Sequence, residues 1–207
     1  MKYAKMLGLA VMAAMALSAV VGASTASATE LCKENPCNGT MYPAETAVTA
    51  QLKTGAVAEL TSPITNVTCK KSTTSGKTTT TGSATETVLG QITALTFTEC
   101  TDTAGEKCTA EAVNLPYKGE IHATGGGNGT LTVSSSGKGN PGATVVCGLV
   151  INCTFSTALA SLSVTGGNPA LAVANKIGLN LAGGVCPTEA HWDSQYEVTA
   201  PKPLFVL

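Results

Sequence analysis

From residue 47 onward, apolar and polar positions alternate with a period of two. Val48, Ala50 and Leu52 are separated by Thr49 and Gln51, and Lys53-Thr54-Gly55 supplies a turn into Ala56 to Thr61. Successive side chains of a strand point to opposite faces, so this period predicts half-buried β-strands. Asn66 to Lys71 reads as another strand. Gln91 to Cys100, rich in β-branched residues, is the clearest of all; Thr101 to Lys107 turns the chain and Cys108 to Leu115 returns it. Glu120 to Ala123 alternates again, Asn128-Gly129 fits a two-residue hairpin turn, and Leu131 and Val133 share the next face. Thr144 to Cys147, Leu149 to Phe155, Ala160 to Val164, Ala170 to Ala174, Lys176 to Leu181 and Tyr196 to Ala200 complete the series. No stretch of this region carries a capped helical period. The pattern predicts an all-β protein, an antiparallel β-sandwich (Ig-like or jelly-roll-like) of about ten short strands.

Two segments depart from the alternation. Ser72 to Thr87 is almost wholly Ser, Thr and Gly, with too little apolar surface for a core, and reads as an exposed loop or ragged hairpin. At the other extreme, Met6 to Ala23 is apolar and uncharged, preceded by Lys2 and Lys5 and followed by the small-residue site Ala26-Ser27-Ala28. That is the plan of a secretory signal peptide over residues 1–28, cleaved to leave one β-sandwich domain over residues 29–207. Retention as an anchor is the alternative, weakened by the many alanines. After cleavage no integral membrane segment is expected, and the mature chain should be secreted, extracellular or held at the cell surface by what it binds.

Export changes the reading of the cysteines. Cys32, Cys37, Cys69, Cys100, Cys108, Cys147, Cys153 and Cys186 all follow the signal, and an even set of thiols in an oxidising compartment implies disulfide bonds. Their connectivity is open from sequence. Local bridges are preferred here, Cys32–Cys37, Cys100–Cys108 and Cys147–Cys153, leaving Cys69–Cys186 as a long staple. No C-x-x-C pair or zinc-ribbon spacing occurs, so no metal site is expected.

Charge narrows the partners. The 12 basic residues are all lysine. Arginine is the side chain suited to bidentate grips on phosphate and to stacking on bases, and with a net charge of −1 no nucleic-acid partner is expected. Of the 13 acidic residues only Asp102 and Asp193 are aspartate, a poor supply for a dedicated cation site. Aromatic residues make up 4% of the chain, too few for the girdles of an outer-membrane barrel. No cofactor motif is found.

Candidate chemistry is sparse. His122 and His191 are the two histidines, and no G-x-S-x-G places a serine nucleophile beside either. Nothing singles out a carboxylate pair for glycoside hydrolysis. No catalytic residue is assigned. His191-Trp192-Asp193, followed by Tyr196, is the densest group of functional-looking side chains, and Trp192, Tyr196 and His191 are the candidate ligand-binding residues. A lone tryptophan is more often a buried, hydrogen-bonded core residue than an exposed platform for a sugar ring. N-x-[ST] sequons begin at Asn38, Asn66, Asn128 and Asn152.

The segments Asn114-Leu115-Pro116-Tyr117-Lys118, Gly125 to Thr130, Val145-Val146-Cys147-Gly148 and Ile151 to Phe155 resemble an uncharacterised family of secreted, cysteine-containing β-proteins of soil actinobacteria. The resemblance covers most of the mature chain, including Cys32 to Cys37 and Trp192. It implies a bacterial exported protein and lends no activity. The expectation is therefore a non-enzymatic extracellular protein binding a surface polysaccharide, another glycan or a protein, with a structural coat component or a secreted hydrolase as alternatives.

Overall fold

The structure, a computed structural model, describes residues 28–83, 85–149, 151–181 and 186–207. The signal expected over residues 1–28 lies outside the described residues except for Ala28. In chain order the strands are β1 (Thr29–Cys32), β2 (Ala47–Leu52), β3 (Ala58–Thr61), β4 (Asn66–Thr78), β5 (Gly82–Ser83), β6 (Val88–Asp102), β7 (Lys107–Val113) and β8 (Tyr117–Gly125). They continue with β9 (Asn128–Ser135), β10 (Gly142–Cys147), β11 (Ile151–Ser156), β12 (Leu159–Thr165), β13 (Leu171–Leu181), β14 (Glu189–Ala200) and β15 (Phe205–Val206). Among the described residues there is no helix. The protein is all-β and antiparallel, as the alternation predicts, with sandwich-like faces packed over a common interior.

Strand pairing closes the sheet on itself. β2 and β3 both lie antiparallel to β4, so they run the same way and form one broken strand. The same holds for β7 with β8 against β6, for β9 with β10 against β8 and β7, and for β11 with β12 against β13. Counted so, eight long staves follow one another as an antiparallel meander: β2/β3, β4, β6, β7/β8, β9/β10, β11/β12, β13 and β14. β14 then pairs back onto β2 and β3, which leaves the main ladder without a free edge among the described residues.

The alternation decides which face is inside. On β6, Val88, Ile92, Leu95 and Phe97 face the interior while Gln91, Thr93, Thr96 and Thr98 are exposed. The outer face is a polar surface in which threonines pair across strands, Thr73 with Thr96 and Thr144 with Thr154, both at 2.7 Å. A membrane barrel has the reverse arrangement, an apolar band outside.

Ser72 to Thr87 departs from the loop expected there. Residues 72–78 complete β4, and Ser72 and Thr78 are buried. Threonine is a strong strand former, and a stave with one wet face tolerates hydroxyls on both sides once the inner ones find partners. Ser72 finds one in Tyr196, at 2.7 Å. The two strands expected at Ala170–Ala174 and Lys176–Leu181 are one, β13, interrupted by a bulge at Lys176, whose φ is 47°.

Both ends of the barrel are filled. At one end the small sheet β15–β1–β5 lies across the opening, with Leu31, Val206 and Ala170 buried. The opposite end is packed with cystines. Of the local bridges preferred from sequence only Cys32–Cys37 is present; the others are Cys69–Cys100, Cys108–Cys147 and Cys153–Cys186. Cys69, Cys100, Cys108 and Cys147 occupy one row across four adjacent staves. Cys100 does face Cys108 across the hairpin, but Cys69 and Cys147 flank the pair, and bonding 69–100 and 108–147 uses all four sulfurs.

Candidate functional site

Between the two filled ends the barrel is hollow. An apolar cavity of about 270 Å³ occupies the middle, walled by β2, β4, β6, β8, β9, β12, β13 and β14. Its cause is legible in the inward side chains. Gly76, Gly90 and Gly119 take inward positions on three neighbouring staves, and Ala50, Ala160, Ala172 and Ala174 take others. Gly90 and Gly119 are direct cross-strand partners. No glycine carries a side chain into the lumen and each alanine carries only a methyl, so Ile92, Leu95, Ile121, Leu131, Ile177 and Leu179 around them remain only half-buried.

Polar groups at the wall are committed to one another. Tyr196, 6% exposed, shares its hydroxyl with Ser72 at 2.7 Å, while the Trp192 indole donates to Ser194 Oγ at 2.9 Å. Among the described residues no buried side-chain nitrogen or oxygen lacks a hydrogen-bond partner. The amine of Lys77 points outward to Glu45. The lumen therefore offers mainly dispersion contact and exclusion of water.

Burial pushes the Tyr196 hydroxyl up to about 12, opposed by hydrogen bonds from Ser72 and Ser194. A folded value above the ordinary 10.0 means that the folded state holds this proton more tightly than the unfolded chain does. Stability from this group is fully present below pH 10 and falls as pH rises through about 12. Thermal unfolding across that range should show a steep alkaline loss in the wild type and a shallower one in Tyr196→Phe. At neutral pH the same substitution leaves Ser72 buried with its partner gone and should cost about 1–3 kcal/mol, measured by denaturant unfolding.

Trp192 faces inward, half-buried, edge-on to Phe97 with ring centroids 5.1 Å apart. Together they form the floor of the cavity toward the cystine-packed end, where only about 30 Å³ of space remains beyond them. Tyr196 belongs to the cavity wall. His191 is the neighbour of Trp192 on the strand and so points to the other side, exposed on the outer face. His122 lies on β8 with Nε2 3.3 Å from Glu120 Oε1. The two histidines are on separate staves, each opposite a threonine in its ladder, Thr130 for His122 and Thr61 for His191. All eight cysteines are in disulfides. Glu30 lies close to the sulfurs of Cys32 and Cys37, but a disulfide presents no thiolate to a metal.

Fold and cavity together define a closed antiparallel β-protein with an apolar internal chamber. Four disulfides, and no helix among the described residues long and apolar enough to cross a membrane, are compatible with an extracellular protein. The chain matches no family model, no curated protein and no solved structure.

Proposed function

We propose that this is a secreted, non-enzymatic bacterial protein that binds one small, uncharged apolar molecule inside its barrel. The observation that carries the reading is the unfilled middle of the core. Protein interiors are close-packed, and an apolar void of about 270 Å³ forfeits contacts that a Leu or Phe at Ala172 or Gly119 would supply. An apolar cavity of ~150 Å³ stays dry and accepts benzene, so this one has room for a larger hydrocarbon-like ligand. Ligand pockets run from roughly 300 Å³ upward, which sets a small molecule as the upper size. A wall of mostly apolar surface, on which the Tyr196 hydroxyl and the Trp192 indole are already paired, favours a ligand without charge or strong hydrogen-bonding groups.

The other readings have less to rest on. A glycan platform needs exposed aromatic rings, whereas Trp192, Tyr117 and Tyr196 turn inward. A coat protein that assembles through sheet edges needs a long free edge, and the main ladder is closed. A hydrolase needs titratable groups converging in a cleft, and the histidines sit apart on separate staves.

The direct test is titration of the oxidised mature protein with the neutral apolar dye N-phenyl-1-naphthylamine, following dye emission and Trp192 fluorescence. Saturable one-to-one binding that quenches Trp192 and is displaced by small hydrocarbons is the expected result. Absence of saturable binding by a folded sample, with retention on cell-wall polysaccharide instead, would overturn the reading.

A further inference from the structure

We propose that the ligand reaches the cavity sideways, through a seam in the wall between β7/β8, β9/β10 and β11/β12, with Tyr117 as the residue that closes it; this rests on the binding function proposed above. Both barrel ends are blocked, one by β1 and β15, the other by the cystines below Phe97 and Trp192. Val206 is packed so closely over the β8–β9 hairpin that a Cβ on Gly129 would meet its Cγ1 at 2.7 Å. A route through either end would require removing a strand or a disulfide.

The wall itself is interrupted. Three neighbouring staves break at one level, at residues 114–116, 136–141 and 157–158. Ladder pairing of β8 with β9 stops at Tyr117 and Ser135, and pairing of β7 with β10 resumes only at Val113 and Gly142. Pro116 and Pro141 lie in the gap and have no N–H to extend a ladder. Residues 136–140 are exposed, and Gly137 and Gly139 have φ of 103° and 114°, open to glycine alone.

Side chains hold the seam shut in place of a ladder. The Tyr117 hydroxyl donates to Val113 O at 2.6 Å and accepts from Gly142 N–H at 3.4 Å, tying the two halves of the wall together. Asn114 Nδ2 donates to Asn140 O at 2.9 Å, and Ser136 Oγ donates to Pro116 O at 2.5 Å. Tyr117, Pro141, Gly142 and Thr157 also line the cavity, so the seam and the chamber are continuous. The break in β2/β3 on the other side is different. Its outer hollow lies over Ala174 and Ser194, which remain paired in the β13–β14 ladder.

The experiment is stopped-flow uptake and release of N-phenyl-1-naphthylamine by wild type, Tyr117→Phe, Asn114→Gly and the control Thr73→Val. Asn114→Gly keeps the backbone able to hold its φ of 64° while removing the amide. Each seam variant should raise both rates by about fivefold, the worth of one net hydrogen bond, and Asn114→Gly, outside the cavity lining, should do so with the equilibrium constant nearly unchanged. The control loses an outer-face hydroxyl pair with Thr96, away from both the seam and the cavity lining, and should keep wild-type rates. Binding with unchanged rates in both seam variants, or equal acceleration in the control, would overturn the seam and leave the binding function standing. No equilibrium binding by wild type would sink both.

Discussion

Reduction of the disulfides is expected to lower the unfolding temperature by tens of degrees. Three bridges close loops of 31, 39 and 33 residues between different staves. Loop-closure entropy assigns each about 3–4 kcal/mol, on the usual account of a restrained unfolded chain. Together they come to about 10 kcal/mol, comparable with the whole margin of a folded domain, ~5–15 kcal/mol. A packed chain of this length would hold without them. Here the middle of the core is void, and the closely packed end lies around the cystines beyond Phe97 and Trp192. Scanning calorimetry in reductant checks this, with Cys32→Ser/Cys37→Ser as the comparison, since that bridge closes only a 5-residue separation and should cost much less. A reduced protein melting within a few degrees of the oxidised one would show that the barrel ladder alone sustains the fold.

Ala172→Leu is expected to abolish apolar-dye binding while keeping or raising stability. Ala172 faces the cavity on β13, and its methyl leaves space that a leucine isobutyl group would take. Each added methylene that leaves water is worth ~0.8 kcal/mol, so a well-seated leucine gains about 1–2 kcal/mol. Overpacking a filled core costs about 1–3 kcal/mol instead, so the sign of the stability change reports directly whether the space is empty. Dye affinity should fall by at least about tenfold, the loss of ~1.4 kcal/mol of contact. Loss of stability with binding retained would place the bound dye outside the barrel.

Much of this architecture was readable as alternation. Val48-Ala50-Leu52, Gln91 to Cys100 and Leu131-Val133 are strands because their inward positions are apolar and their outward positions are threonine, glutamine or serine. The closure of the sheet was not readable, since nothing local distinguishes a stave from an edge strand. Ser72 to Thr78 misled because composition speaks for a wet loop, whereas the strand is kept by β-branching and by the Ser72–Tyr196 hydrogen bond from 124 residues away. The disulfide pattern failed for a related reason: hairpin proximity brings Cys100 to Cys108, but the choice between them depends on Cys69 and Cys147, which arrive from other staves. The cavity had a faint sequence signal. Gly90 falls on the alternate position between Val88 and Ile92, and Gly119 between Tyr117 and Ile121, where a filled core would carry larger side chains. Trp192 and Tyr196 are aromatics with a polar tip, and both line the chamber, while His191, their neighbour by sequence, is turned to the other face by the period of two.

The most direct measurement of the central claim is a crystal structure under xenon pressure, which reports apolar space without assuming a natural ligand. Xenon is expected inside the barrel, in contact with Ile92, Gly119, Leu131 and Ala172, and none there in Ala172→Leu. A wild-type lumen that stays free of xenon, or that holds ordered water on Tyr196 and Ser194, would contradict it.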